Sequence, residues 1–159
     1  CMGQEKGIWR MKIGSQEEME ALGAKIAACL RPGDCVFLMG DLGVGKSVLA
    51  RSIGQALGVQ EPMPSPSFGL LLPHAGRVQV NHFDLYRLED YSEFVAAGLE
   101  EALLDEKAVS LVEWPEILAG EAPSTRLEVR IAYAGAPDAR EVSIRCLGME
   151  GRDCANFGD

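Results

Sequence analysis

Nowhere in the 159 residues does an apolar stretch approach the length of a membrane span, and no signal-peptide pattern opens the chain, so a soluble, cytoplasmic protein is expected. No C-x-x-C pair occurs among Cys1, Cys29, Cys35, Cys146 and Cys154, which excludes a dithiol shuttle or a cysteine metal knuckle by spacing and predicts buried thiols in a reducing compartment. Cys1 ahead of Met2 reads as an added residue or an internal start and is set aside. Internal repeats and low-complexity tracts are missing. Basic charge is scarce, with 15 Lys and Arg against 24 Asp and Glu, for a net charge of −9. From Asp84 to Glu121, eleven acidic residues face only Arg87 and Lys107, and a polyanion would be repelled from such a segment. That window is either a solvated helix surface or a docking face for a basic protein.

What is present is ordinary for a globular fold, with 47% hydrophobic and 25% charged residues, and the length suits one α/β domain over 1–159. Residues 1–7 and 150–159 carry no clear pattern and are expected to be poorly ordered. The most informative segment is Gly40-Asp41-Leu42-Gly43-Val44-Gly45-Lys46-Ser47, a complete G-x-x-x-x-G-K-[ST] phosphate-binding loop. Before it, Cys35-Val36-Phe37-Leu38-Met39 reads as a strand buried on both faces. After it, Val48, Leu49, Ile53 and Leu57 fall on one helical face up to the stop at Gly58. Glycines let successive backbone N–H groups turn inward towards a polyphosphate, Lys46 adds a full charge and the Ser47 hydroxyl can reach magnesium.

Along the rest of the chain, Ser15 and Glu18 form a capping box for a helix carrying Met19, Leu22, Ile26 and Leu30. Residues 60–67 hold three prolines and predict an exposed, stiff loop. Phe68 to Leu72 and Arg77 to Phe83 predict a hairpin around His74-Ala75-Gly76, and 91–104 a helix with Phe94, Val95, Leu99 and Leu103 inward. Val109 to Val112 predicts another buried strand. Leu127 to Ile131 and Glu141 to Cys146 predict a second hairpin.

Turnover of a bound nucleotide needs carboxylates beside the loop. Glu113, closing an apolar strand, has the Walker B layout and is assigned the water-positioning role. Asp84, at the end of the run Val78 to Phe83, is either the metal-side acid or a helix cap. His82 is either a core histidine or a base. Trp114 can pack under the sheet edge or touch a nucleotide or a partner, and Arg87 can pair with acids of its own segment or with a phosphate. Ser65 and Ser67 can satisfy a turn or sense a γ-phosphate. No arginine cluster follows a helix, as a small-molecule kinase would need for its lid, and the N-K-x-D guanine motif is missing. A non-hydrolysing nucleotide-binding scaffold stays open.

Taken together, the phosphate loop, Ser65-Pro66-Ser67-Phe68, His82-Phe83-Asp84-Leu85-Tyr86-Arg87-Leu88 and Glu113-Trp114-Pro115-Glu116 closely resemble the bacterial TsaE family from about Ser15 to Ile131. The resemblance implies a three-layer P-loop α/β fold with antiparallel strands added to a parallel core. It also implies ATP and magnesium as ligands, and a threonylcarbamoyl transferase with its non-catalytic paralogue as partners in tRNA threonylcarbamoyladenosine synthesis. Carried over by position, Asp41 to Val48 (Asp41, Leu42, Gly43, Val44, Gly45, Lys46, Ser47, Val48) and Trp114 would hold the nucleotide. Ser47, Asp84 and Glu113 would hold metal, and Lys46, Asp84 and Glu113 would act in catalysis. Ser47 and Ser67 stand where Thr is common in the family, which keeps both hydroxyls. Tight tRNA binding by this chain alone is not expected.

Overall fold

The computed structural model describes residues 8–66, 70–149, 152 and 157. The expectations for Ser67, for the strand start at Phe68, for residues 1–7 and for Cys154 lie outside them. In chain order the elements are β1 (Ile8–Ile13), α1 (Gln16–Cys29), β2 (Cys35–Met39), α2 (Lys46–Ala56), β3 (Leu71–Ala75), β4 (Gln79–Asp84), α3 (Tyr91–Ala96), α4 (Glu100–Leu103), β5 (Ala108–Glu113), a 3₁₀ turn (Pro115–Leu118), β6 (Arg126–Tyr133) and β7 (Arg140–Leu147). One seven-stranded sheet runs in the order β1-β7-β6-β2-β5-β4-β3. β6, β2, β5 and β4 pair in parallel, and β3 on one edge and β7 with β1 on the other run antiparallel.

Strand alternation sorts the core into two layers. On β2, Val36 and Leu38 face one side, where α1 and α2 contribute Leu22, Ile26, Leu49 and Ile53. Cys35, Phe37 and Met39 face the other, against Phe94, Leu99, Leu103 and Leu118. All residues of β2 and β5 are buried, as expected of parallel strands covered on both faces.

The expected cap of α1 is present: the Glu18 N–H donates to Ser15 Oγ at 3.1 Å. Glu18 Oε1 in turn accepts from the Gly14 N–H at 2.9 Å, one residue before the cap itself. At the end of α2, Gly58 takes φ +94°, and the Gly58 and Val59 N–H groups donate to Gln55 O and Gly54 O, a Schellman closure.

Three expectations are corrected. The helix expected over 91–104 is two short helices, because Gly98 at φ +76° closes α3 with the same motif, through Gly98 N–H to Val95 O and Leu99 N–H to Phe94 O. Val95 is exposed as a result, while Phe94, Leu99 and Leu103 are buried. The first hairpin is shifted along: His74 and Ala75 pair with Val80 and Gln79 rather than forming the turn. Pro73 is accommodated because β3 is an edge strand. Cys35 and Cys146 are free, but Cys29 is disulfide-bonded, not a free thiol. Of residues 150–159 only Arg152 and Phe157 are described: Phe157 is buried edge-on against Trp9, and Arg152 donates to Asp34 Oδ2.

Helices α1 and α2 cross at Gly23, where a Cβ would stand 2.5 Å from Ser52 Cβ and 3.2 Å from the Ile53 nitrogen. Gly23→Val must therefore push α2 off the sheet or strain its own rotamer. It is expected to lower stability by about 1–3 kcal/mol, read from the denaturant midpoint at constant slope. An unchanged midpoint would mean that the two helices separate without cost.

Candidate functional site

The loop between β2 and α2 has the shape its glycines permit. Gly40 has φ +149°, Gly43 +76° and Gly45 +124°, and a Cβ on Gly40 would stand 2.4 Å from Ile131 O. Gly45 caps α2 without a side-chain hydrogen bond, so the N–H groups of the first turn are not covered by a capping side chain. Two side chains hold the loop from outside: Tyr133 Oη donates to Leu42 O at 2.8 Å and Arg140 Nε to Val44 O at 2.7 Å. Tying carbonyls outward favours N–H groups that point inward. Sequence reasoning assigned neither residue a role, since each lies more than 90 positions from its partner and nothing local marks it.

Parallel pairing of β4 with β5 sets Asp84 directly beside Glu113. Alternation puts His82, Asp84 and Glu113 on the same face as Val80 and Leu111, the face carrying α2. Glu113 is only 3% exposed. Ser47 Oγ lies 3.1 and 3.3 Å from its two oxygens, and His82 Nε2 lies 2.6 Å from Oε2. Asp84 is half-buried; its Oδ1 accepts from the Tyr86 N–H at 3.1 Å and its Oδ2 from Ser65 Oγ at 3.4 Å. Burial first, and the Glu113 charge after the opposing Tyr86 N–H, hold the Asp84 carboxyl above its ordinary value.

Lys46 is buried, donating to Gly40 O and, at 3.0 Å, to Asp41 O, with its ammonium 4.0 Å from the centre of the Trp114 ring. Desolvation lowers its pKa, although Glu113, Asp84, Glu116 and Asp41 all pull it up. Trp114 adopts the left-handed conformation, φ 57° and ψ 58°, between the end of β5 and Pro115, and packs against Tyr86 with ring centroids 4.8 Å apart.

These side chains line a cavity of about 370 Å³ with Leu42, Gly43, Gly45, Val48, Ser65 and Arg87. Of the expected nucleotide-site residues, Asp41 enters only through its carbonyl to Lys46, and Val44 lines a neighbouring cavity of about 220 Å³ instead. Ile13, Ser15, Gln16, Met19, Asp138 and Arg140 also line that second cavity, which shares Gly43, Gly45 and Val48 with the first. Among the described residues no group of three or more His, Cys, Asp or Glu could hold a metal by itself. A hydroxyl and two carboxylates are nevertheless the hard oxygen donors magnesium takes when phosphates and water complete its shell. The acidic window is divided by the fold: Glu113 is buried in the site and Asp84 half-buried at it, while Glu89, Asp90, Glu93, Glu100, Glu101, Glu106, Glu116 and Glu121 are exposed. No helix among the described residues is long and apolar enough to cross a membrane.

An acid whose pKa rises on folding binds more protons when folded, so its cost to stability grows as pH climbs from its ordinary value of 3.8 through the raised one. Asp84→Asn keeps the acceptor for the Tyr86 N–H and removes that cost. The variant is expected to melt higher than the wild type at pH 7, with the difference closing as pH falls below the ordinary carboxylate range. A melting-temperature difference constant across pH would overturn this account.

Comparison with known proteins agrees with this architecture. The family model for TsaE, threonylcarbamoyl adenosine biosynthesis protein TsaE, matches residues 13–142. A Bacillus subtilis protein named tRNA threonylcarbamoyladenosine biosynthesis protein TsaE is 35% identical over 133 residues, covering 83% of this chain and 82% of the relative. Its namesake from Mycobacterium bovis is 38% identical over 132 residues, covering 78% and 79%. The one from Treponema pallidum is 30% identical over 130 residues, covering 82% and 95%. The crystal structure of Bacillus subtilis YdiB superposes with a TM-score of 0.76 at 28% identity, over 92% of this chain and 90% of that one. With the matched segment running from the end of β1 into β7, through every element that builds the site, the chain belongs to the TsaE family of tRNA threonylcarbamoyladenosine biosynthesis proteins.

Proposed function

We propose that this chain is a magnesium-dependent ATPase of low intrinsic activity. It acts as a nucleotide-dependent switch on a cytoplasmic complex of the threonylcarbamoyl transferase and its non-catalytic paralogue. The observation carrying this reading is the convergence of Lys46, Ser47, Asp84 and Glu113 on one cavity of about 370 Å³ at the glycine loop. Loop N–H groups and Lys46 receive the phosphates, for which Lys46 leaves its carbonyls and the Trp114 ring. The neighbouring cavity, part apolar through Met19, Val44 and Val48 and part polar through Ser15 and Arg140, suits the base and ribose.

Bound magnesium would neutralise charge developing on the transferring phosphoryl group. Ser47 and Glu113, already in contact, suit the metal side of the site. Asp84, on the more open side, then suits orientation of the attacking water, the reverse of the roles the sequence suggested. Arg87 lines the cavity, but the sequence carries no arginine-rich segment after a helix to close over the phosphates, so turnover by the isolated chain is slow and partners accelerate it.

Lys46→Ala is expected to remove most ATP and ADP affinity in calorimetry, whereas Glu113→Gln keeps nucleotide affinity and loses most of the turnover. Wild-type binding by the alanine variant, or tighter binding of GTP than ATP, would sink the assignment. Phosphate transfer to a small acceptor would favour a kinase instead.

The exposed acids on and around α3 and α4 suit a basic protein surface rather than tRNA. Reversing charge at Glu100, Glu101, Asp105 and Glu106 is expected to slow ATP-dependent association with the transferase and its paralogue, most at low salt, while ATP affinity holds. Surface plasmon resonance across a salt series reads this. Association indifferent to charge reversal, or tight tRNA binding by the chain alone at physiological salt, would contradict it.

A further inference from the structure

His82 is fully buried, 0% exposed, on the sheet face that also carries the apolar Val80, Val109 and Leu111. Burying an imidazole among aliphatic side chains costs free energy that a Val or Leu at the same place would not incur. Its Nε2 lies 2.6 Å from Glu113 Oε2, and its Nδ1 has no hydrogen-bond partner among the described residues. A carboxylate only accepts, so the proton of this bond sits on Nε2 and is donated to Glu113. Glu113 is thereby gripped from two sides, by Ser47 from α2 and by His82 from β4. The serine hydroxyl can rotate away towards a ligand. The histidine cannot, because its ring is enclosed.

We propose that His82 is a positioning residue that fixes the Glu113 carboxylate beneath the phosphate loop, so that Ser47 can exchange its bond to Glu113 for a ligand without Glu113 turning away. This inference rests on the ATPase reading of the site and adds a residue to it. It makes His82 neither a general base nor inert core filling. It also accounts for a histidine two residues ahead of Asp84: alternation along β4 places both on the Glu113 face, one beneath the carboxylate and one beside it.

Two readouts test it on the full chain. In the unmodified protein with ¹⁵N-labelled histidine, the ring of His82 is expected in the Nε2–H tautomer, with that proton protected from solvent exchange. A Nδ1–H tautomer or a freely exchanging ring overturns the proposal without any substitution. The second readout compares His82→Gln, which keeps an amide donor at about the reach of Nε2, with His82→Met, similar in length but without a donor. The methionine variant is expected to lose roughly 10- to 100-fold in kcat at nearly wild-type ADP affinity, with the glutamine variant at least several-fold faster than it.

In a Glu113→Gln background the methionine substitution adds little further loss. If the methionine variant does not fold, His82→Asn takes its place, since its shorter amide falls short of Glu113 and the same loss is expected. Equal kcat for the glutamine and donor-lacking variants, or matching losses of kcat and ADP affinity, would reduce His82 to a packing residue. Failure of the parent reading looks different: the unsubstituted chain would then neither bind nor hydrolyse ATP.

Discussion

A carboxylate taken out of water must be compensated by donors or it destabilises the fold by several kcal/mol. Glu113 imposes that demand at the centre of this protein. Its donors come from two other elements, Ser47 on α2 and His82 on β4, and its own backbone extends β5 between β2 and β4. Satisfying one side chain thus ties together the first helical turn after the glycine loop and neighbouring strands of the parallel core. The strands can meet that demand only in one register, because a one-residue slip of β4 would turn His82 and Asp84 to the opposite face.

Around that tie the fold divides its labour by sheet edge. The parallel centre supplies the loop and the carboxylates, all emerging at the same end of the strands. The antiparallel additions at one edge support the loop: Tyr133 and Arg140, paired across β6 and β7, reach over to Leu42 and Val44 carbonyls. At the other edge β3 borders β4, and Asp84 receives Ser65 from the proline-rich loop that leads into that strand. Strain and crowding are concentrated where these parts meet, at Gly40 against Ile131 O and at the left-handed Trp114.

Charge follows the same division. Lys46 and Asp84 both have pKa values displaced against their charged forms by burial, which destabilises the folded chain and leaves reactive groups poorly hydrated. Most acids of the α3 and α4 region stay in solvent and shape the outer field, although Asp90 caps α3 and Glu100 accepts from Tyr91 Oη. A single acidic window in sequence therefore becomes two physically separate things, a buried carboxylate site and a solvated face.

The glycine loop, the strand before it, the α1 cap and the strand ending at Glu113 were legible in the sequence because each is specified by neighbours a few residues away. Steric limits on glycine, side-chain capping and unbroken apolar runs act locally. The break at Gly98 was also local but was masked by an apolar spacing that suits one helix as well as two. Strand β1 went unread, since its alternation of Trp9, Met11 and Ile13 acquires an inside only once β7 lies beside it. The loop supports Tyr133 and Arg140 and the bond from His82 to Glu113 depend on contacts spanning 31 to 96 positions. The sequence by itself determined which groups could do phosphate chemistry. Only the tertiary structure decided which are buried, which donor serves which carboxylate and how the loop is held, because strand register and the packing of distant elements set burial and hydrogen-bond partners, and no local pattern encodes them.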